Sequence, residues 1–534
     1  MGAPQRPPAL SARGMVSSSH PAASVAGARV LADGGNALDA TLAMAAMTWL
    51  TLPGQCGIGG DAFAVVREPD GRVWTINGSG VGPDGGTTDF YVSQGLLSIP
   101  MDGPLAVAVP GAPAALRALH GAGATRSLPE LWEPAAAIAG TGLPCSARTA
   151  GDVAAALSAV LADPGLSRGY APTGAAPHIG TLLPQPELAA TIRRLARDPD
   201  SFYRGEFAQR AVAALQAGGA PFTGDDWAAG AAATPEPAIT GRYAGAVLHQ
   251  TPLPTPGWMV LQQAALCDGV VGFSGWMSAA AIDRLARAAR LAFADRFMLC
   301  GSDNGAAGAD YVLSPDRLDA QRRDLDHRSE HRGPIEVRAG DTTSTVAVDG
   351  DGRAVSFIHS LAFTFGAKFT VPGTGVVLNN RLGRGAYLLP GHPNEVAPRR
   401  KPLHTLNAWI ATDEAGRLLH VGNTPGGDGQ VQWNMQLLSH VLDHGLDPAE
   451  AVSAPRFTVF PGSDADVLGA PDELRVEPSV SAEVRDQLAA AGHRVVVHSE
   501  YGAGGSAQLI SVDDRGVLFG AADPRQEGVA LGVD

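Results

Sequence analysis

Lysine is nearly missing from this chain. Only Lys368 and Lys401 occur among 39 basic residues, and 53 acidic residues leave a formal net charge of −14. That balance argues against nucleic acid as a partner, because neutralising phosphates takes basic patches. Cysteine is scarce too. Cys56, Cys145, Cys267 and Cys300 lie far apart with no CxxC pair, which speaks against a zinc or disulfide scaffold and for reduced structural thiols. No apolar run is long enough to span a bilayer: "ALDATLAMAAMTWLTL" is alanine-rich, carries Asp39 and reads as a buried helix. The opening "MGAPQRPPALSARGMVSSSH" lacks the apolar centre of a secretory signal, so a cytoplasmic chain without membrane partners is expected. Neither GxGxxG before a helix nor GK[ST] occurs at "CGIGGD". Gly57, Gly59 and Gly60 are therefore read as a tight turn beside a site or the core, not as a phosphate cradle.

Glycine (67) and proline (40) are plentiful and spread along the whole length, and 45% of residues are apolar. This composition fits many turns around a large core, in two or three domains or in one large enzyme body. Residues 1–15 read as a polar lead-in. A helix over "HPAASVAGARVLADGG" stops at Gly34-Gly35, and Asn36 caps a second helix running toward Pro53. Next comes a hairpin about "PDG". Residues 110–330 read as helical, and "SAAAIDRLARAARLAFADRFML" places Ile282, Leu285, Ala289 and Phe293 on one face with arginines opposite. Residues 322–341 read as a solvated connector. Beyond it, hairpins are expected about "DGDG", "DEAG" and "DDRG", with an amphipathic helix "QWNMQLLSHVLDHG" and the helix–strand pair "AEVRDQLAAAGHRVVV" between the last two. Helices interleaved with antiparallel strands predict an α+β sandwich with two sheets between outer helices.

Three patterns bear on chemistry. "HRSEH", His327 to His331, has the HxxEH spacing of a zinc protease, but its flanks of Arg, Asp, Gly and Pro lack the apolar back such a helix needs, so no metal is expected. "NTPGGDGQ", 423–430, sits between a strand and a helix, where the Gly426 and Gly427 amides could point at one anionic oxygen or simply make a turn. "GDTTSTVAVDG" sets Thr342 directly after Asp341 at a strand head. A hydroxyl is a weak nucleophile and needs a base. Cutting the bond before Thr342 frees an α-amine with a pKa near 7.7–8.0, which can serve as that base. On composition alone, an ordinary strand opener explains the same residues.

The order of the landmarks narrows this. "GMVSSSHPAAS", "GGNALDATLA", "CGIGGDAFAVV", "VPGAPAAL", "LAFADR", "DTTSTVAVDGDGRAVS", "FTFGAKFTVPGTGVVLNN", "NTPGGDGQ", "EAVSAPRF" and "GAADPR" run in a sequence that resembles the gamma-glutamyltranspeptidase family of N-terminal-nucleophile (Ntn) hydrolases over almost the full length. The resemblance implies a four-layer αββα fold with two antiparallel sheets between helical layers. It also implies self-cleavage at Asp341–Thr342 into a large fragment, 1–341, and a small fragment, 342–534, that stay together as a heterodimer able to assemble further. By the same resemblance Thr342 matches the nucleophile, Ser360 a helper hydroxyl, and Gly426 and Gly427 the oxyanion donors. Thr405 matches one of two serines that hold the substrate carboxylate, and His404 replaces the other. No cofactor is implied.

Departures from the glutamyl-specific members are equally informative. Ser79 of "NGSGVGP" stands where they carry a carboxylate-gripping arginine. Arg381 and Arg384 of "LNNRLGRG" stand where glutamine and aspartate are expected, and Ala362 replaces an asparagine. Arg384 would repel a γ-glutamyl ammonium, whereas arginines suit a carboxylate. The expected enzyme therefore cleaves an acyl bond of a small carboxylate-bearing oxamoyl or oxalyl compound. The branches that fit are oxamate amidohydrolases and the C–C hydrolases of antibiotic alkylproline pathways. A true γ-glutamyl enzyme and an inactive binding homologue stay as the other readings.

Overall fold

Every residue of the strand Ala354–Ala362 is buried, and its alternating side chains feed two different cores. Val355 and Phe357 pack with the helices Pro21–Ala32 and Ala37–Thr51. Ala354 and Ile358 pack against a second sheet. Asp61–Arg67 divides likewise, Ala62, Ala64 and Val66 to the helices, Phe63 and Val65 to the opposing sheet. In the opposing sheet, Ala408 and Ile410 face inward, while Trp409 and Ala411 face another helical layer. Period-two strands apolar on both faces must be covered on both faces, and the result is four layers, αββα.

The computed structural model describes residues 6–300, 302, 306–326, 341–461 and 471–534. One seven-stranded antiparallel sheet runs, edge to edge, Val529–Val533, Gly14–Ser18, Asp341–Val348, Ala354–Ala362, Asp61–Arg67, Val73–Gly78, Pro235–Pro237. The other runs Ala9–Ser11, Leu518–Ala522, Gln508–Val512, Leu418–Asn423, Ala408–Thr412, Ala246–Gln250, Ile239–Tyr243. Asp341–Val348 thus lies between a strand from near the N-terminus and its own hairpin partner, so residues before and after Asp341 share both sheets. Ser356 Oγ and Asn423 Nδ2 join the sheets through bonds to the Gly422 and Phe357 carbonyls.

The expected helices at the N-terminus are present. Asn36 makes a reciprocal capping box with Asp39, and Gly34 takes φ +84° just past the first helix. The three hairpins form at the expected turns. Several local readings are corrected. The lead-in contains the strand Ala9–Ser11, and the 110–330 stretch contributes three strands at the edges of the two large sheets. Residues 322–326 finish the helix Pro315–Asp326 instead of belonging to a connector. Gly429–Leu442 is buried nearly all round, not amphipathic, because Gln432 and Gln436 bond the buried carbonyls of Val459 and Phe457. In Ala279–Leu299 the apolar face is as expected, but Arg284 and Arg296 are buried, not opposite it. The His327–His331 pattern lies outside the described residues. All four cysteines are buried and unpaired with one another. Among the described residues no helix is long and apolar enough to cross a membrane.

Candidate active site

Thr342 sits where the sheet ladder slips. Asp341 pairs with Ala362 and Thr343 with His359, leaving Thr342 opposite two residues, Ser360 and Leu361. Leu361 leaves the ladder because its amide donates to Gln55 O and its carbonyl accepts from Asn380 N. Such a bulge re-aims the side chains beside it. Thr342 Oγ1 lies 3.2 Å from Ser360 Oγ, both nearly inaccessible to solvent, and Ser360 Oγ also accepts the Ala362 amide at 2.8 Å. Ala362 has φ +86°, a region costly for a side chain larger than glycine and easier for asparagine. It is held there from both ends, by Ser360 Oγ and by Arg384 Nη1, which donates to its carbonyl at 2.8 Å. The Arg384 guanidinium lies over the Phe363 ring at 4.3 Å.

The glycines of "CGIGGD" serve close approach. A Cβ on Gly60 would stand 2.2 Å from Ser360 O, and one on Gly59 2.1 Å from Val377 O. They let Asp61 lie directly across the ladder from Ser360. The fully buried Asp61 carboxylate accepts from Gly80 N at 2.8 Å, Arg381 Nε at 2.9 Å and His404 Nε2 at 3.1 Å. Burial pushes its pKa upward, but the His404 bond and the Arg381 charge outweigh that and leave it below the usual aspartate value. Burial, then the Arg381 charge, take His404 down to about 3, so the ring is neutral. Facing an ionised Asp61, Nε2 must carry the proton, which makes Nδ1 an acceptor. His404 Nδ1 and Thr405 Oγ1 are buried without a hydrogen-bond partner among the described residues. Ser79 adjoins the cluster through Gly80 and donates to its carbonyl at 3.3 Å.

Gly426 and Gly427 connect the strand Leu418–Asn423 to the helix Gly429–Leu442, with φ of +126° and +59°. Their amides are buried and donate to no acceptor among the described residues. Buried amides are ordinarily paired, so two adjacent orphans at a helix N-terminus suit an anionic oxygen. Asn423 Nδ2, bonded to Thr345 O at 3.3 Å, ties this turn to the strand of Thr342. A Cβ on Gly426 would lie 2.1 Å from the Trp433 ring. Gly426→Ala is expected to lose at least about 2 kcal/mol, the size of a forced positive-φ strain, and to shift Trp433 emission; thermal unfolding and fluorescence check this.

The expected positions therefore converge through bonded links: Thr342–Ser360–Ala362–Arg384 on one side, Ser79–Gly80–Asp61 with Arg381 and His404 on the other, and the glycine pair tied in by Asn423. Asp61, Arg296 and Asp428 escaped the sequence reading. The acid closing "GGD" beside two unexpected arginines was the available signal for the first.

The chain is similar to known proteins over nearly its whole length. A family model described as Gamma-glutamyltranspeptidase matches residues 23–533. The oxamate amidohydrolase proenzyme of Klebsiella pneumoniae is 33% identical, covering 98% of this chain and 99% of its own. The glutathione hydrolase-like YwrD proenzyme of Bacillus subtilis is 32% identical over 97% of this chain and 98% of its own. The crystal structure of cephalosporin acylase from Bacillus halodurans superposes with a TM-score of 0.91 at 29% identity, covering 100% of this chain and 98% of that one.

Proposed function

The chain belongs to the gamma-glutamyltranspeptidase family of hydrolases, and on that premise we propose that it is an autoprocessing threonine enzyme that hydrolyses the acyl bond of a small carboxylate-bearing amide of the oxamoyl type, not a γ-glutamyl compound. The observation that carries this reading is the Thr342–Ser360 hydroxyl pair at the ladder bulge, 3.2 Å apart and next to the bond expected to be cut. After cleavage at Asp341–Thr342, fragments 1–341 and 342–534 remain joined because both contribute strands to both sheets. Thr342 Oγ1 attacks the acyl carbon as its own α-amine takes the hydroxyl proton. The Gly426 and Gly427 amides hold the oxyanion. Collapse passes the proton to the leaving amine, and water then releases the acid from the threonine ester.

Arg384 selects the acyl group. An ammonium about 4 Å from its guanidinium would be repelled by about 4 kcal/mol at an effective dielectric of 20, close to a thousandfold in affinity. A carboxylate there gains by the same electrostatics. Arg381 pairs with Asp61 and holds that side of the pocket together with His404 and Thr405. The similarity to an oxamate amidohydrolase proenzyme supports a two-carbon acid amide over the C–C alternative.

Purified protein is expected to show two masses divided at Asp341/Thr342 and to release ammonia from oxamate. Its kcat/KM on γ-glutamyl-p-nitroanilide should be at least about 100-fold lower. Arg384→Gln should raise KM for oxamate roughly 10- to 100-fold, the worth of one charge-assisted contact. Robust γ-glutamyl release by the wild type would refute the role given to Arg384.

A further inference from the structure

Arg296 lies near the end of the helix Ala279–Leu299 and is 2% exposed. Its two terminal nitrogens reach two different loops. Nη1 donates to Asp428 Oδ1 at 2.6 Å, and Nη2 donates to the His404 carbonyl at 2.6 Å. Asp428, itself buried, immediately follows the glycine pair and is the N-cap residue of Gly429–Leu442. His404 precedes Thr405, and its ring sits on Asp61, across the ladder from Ser360. One guanidinium thus spans the gap between the turn that carries the orphan amides and the side of the pocket built on Asp61.

Simple helix packing accounts poorly for this. Arg284, buried in the same helix, donates from Nε and Nη2 to Leu266 O in the helix Gly257–Cys267 that packs alongside. Arg296 has one charged and one neutral acceptor on separate loops, each adjoining a group of the candidate site. Both acceptors follow Thr342 in the chain, whereas Arg296 precedes it.

We propose that Arg296 is a positioning residue that sets the Gly426–Gly427 amides against the Asp61–His404 side of the pocket, and that it does so across the Asp341–Thr342 junction. The inference rests on Thr342 as nucleophile. A planar fork is required, because a lysine ammonium is a single point on a flexible stem and cannot hold both acceptors in that geometry. Removing only Arg296 would take a paired charge from a buried carboxylate, so the informative variant neutralises both partners.

The test needs no knowledge of the natural substrate. p-Nitrophenyl acetate acylates an active threonine: the Thr342 Oγ1–acetyl bond forms, the aryl ester C–O bond breaks, p-nitrophenolate leaves, and the hydroxyl proton goes to the α-amine. The wild type should give a burst of one p-nitrophenolate per cut chain, absent in Thr342→Ala. In Arg296→Met/Asp428→Asn, the burst amplitude and thermal midpoint should stay near wild type while the burst rate constant falls roughly 10- to 100-fold, part of what losing an oxyanion donor costs. Arg296→Lys, which keeps the charge beside Asp428, should fall between them. A wild-type rate constant in either variant overturns the inference. A wild type with no burst, or a burst that persists in Thr342→Ala, overturns the nucleophile reading instead and takes the inference with it.

Discussion

Thr342→Ala is expected to yield one uncut chain of 534 residues, seen as a single band and a single intact mass, with hydrolysis reduced by at least about 10⁴-fold. On the proposed mechanism both losses share one cause, since the same Thr342 Oγ1 would serve self-cleavage and attack on substrate. The fold should survive the change, because the strand of Thr342 is held by neighbouring strands on both sides. Thr342→Ser should cut and turn over at a reduced rate, since it keeps the hydroxyl. Ser360→Ala should be milder than Thr342→Ala, roughly 10- to 100-fold, because it removes the 3.2 Å partner of the nucleophile and leaves the buried Ala362 amide without its acceptor. With the α-amine as base, the rate should rise as pH passes through about 7.7–8.0, where that amine loses its proton. A wild-type chain that persists uncut, with Thr342→Ala equally active, would end the proposal.

The parts of this site readable in sequence are those whose signals are local. The "DGDG" and "DDRG" turns fix their hairpins within a dozen residues, and Asn36 with Asp39 announces a helix start three residues wide. Thr342, Ser360 and the glycine pair were legible through the order of motifs, not through any property of the residues themselves. What stayed hidden depends on partners far along the chain. Asp61 and Arg381 are 320 positions apart, and Arg296 and Asp428 are 132. A buried arginine looks like a solvated one until its acid is found, which is why the arginines of Ala279–Leu299 read as an outer face. The Gly429–Leu442 helix misled for the same reason. Its glutamines suggest a wet side, yet they satisfy the backbone of Phe457–Phe460 inside the protein.

Asp61→Asn should be the most destabilising single change near the site, by roughly 3–5 kcal/mol, the toll of breaking a buried ion pair from one side. The substitution is nearly isosteric, so packing around Phe63 and Gly80 is kept and the effect isolates charge. Asparagine can still accept from Gly80 N, but its amide group would face donors, the Arg381 Nε–H and the His404 Nε2–H, where the carboxylate accepted from both. A fully buried guanidinium then loses its ion pair with residue 61. The sign with pH follows from the lowered Asp61 pKa. Its stabilisation is present in full above about pH 4, the ordinary aspartate value, and is lost as pH falls through the depressed folded value, so wild type and variant should converge in acid. Activity should drop at least about 100-fold even in whatever fraction folds, since the carboxylate fixes both the tautomer of His404 and the seat of Arg381. Asp61→Asn/Arg381→Gln separates the two effects: with both charges gone, most of the thermal midpoint should return while turnover does not. Recovery of turnover along with stability would mean that the cluster merely holds the fold, and an Asp61→Asn protein that melts and turns over with the wild type would mean that it holds neither.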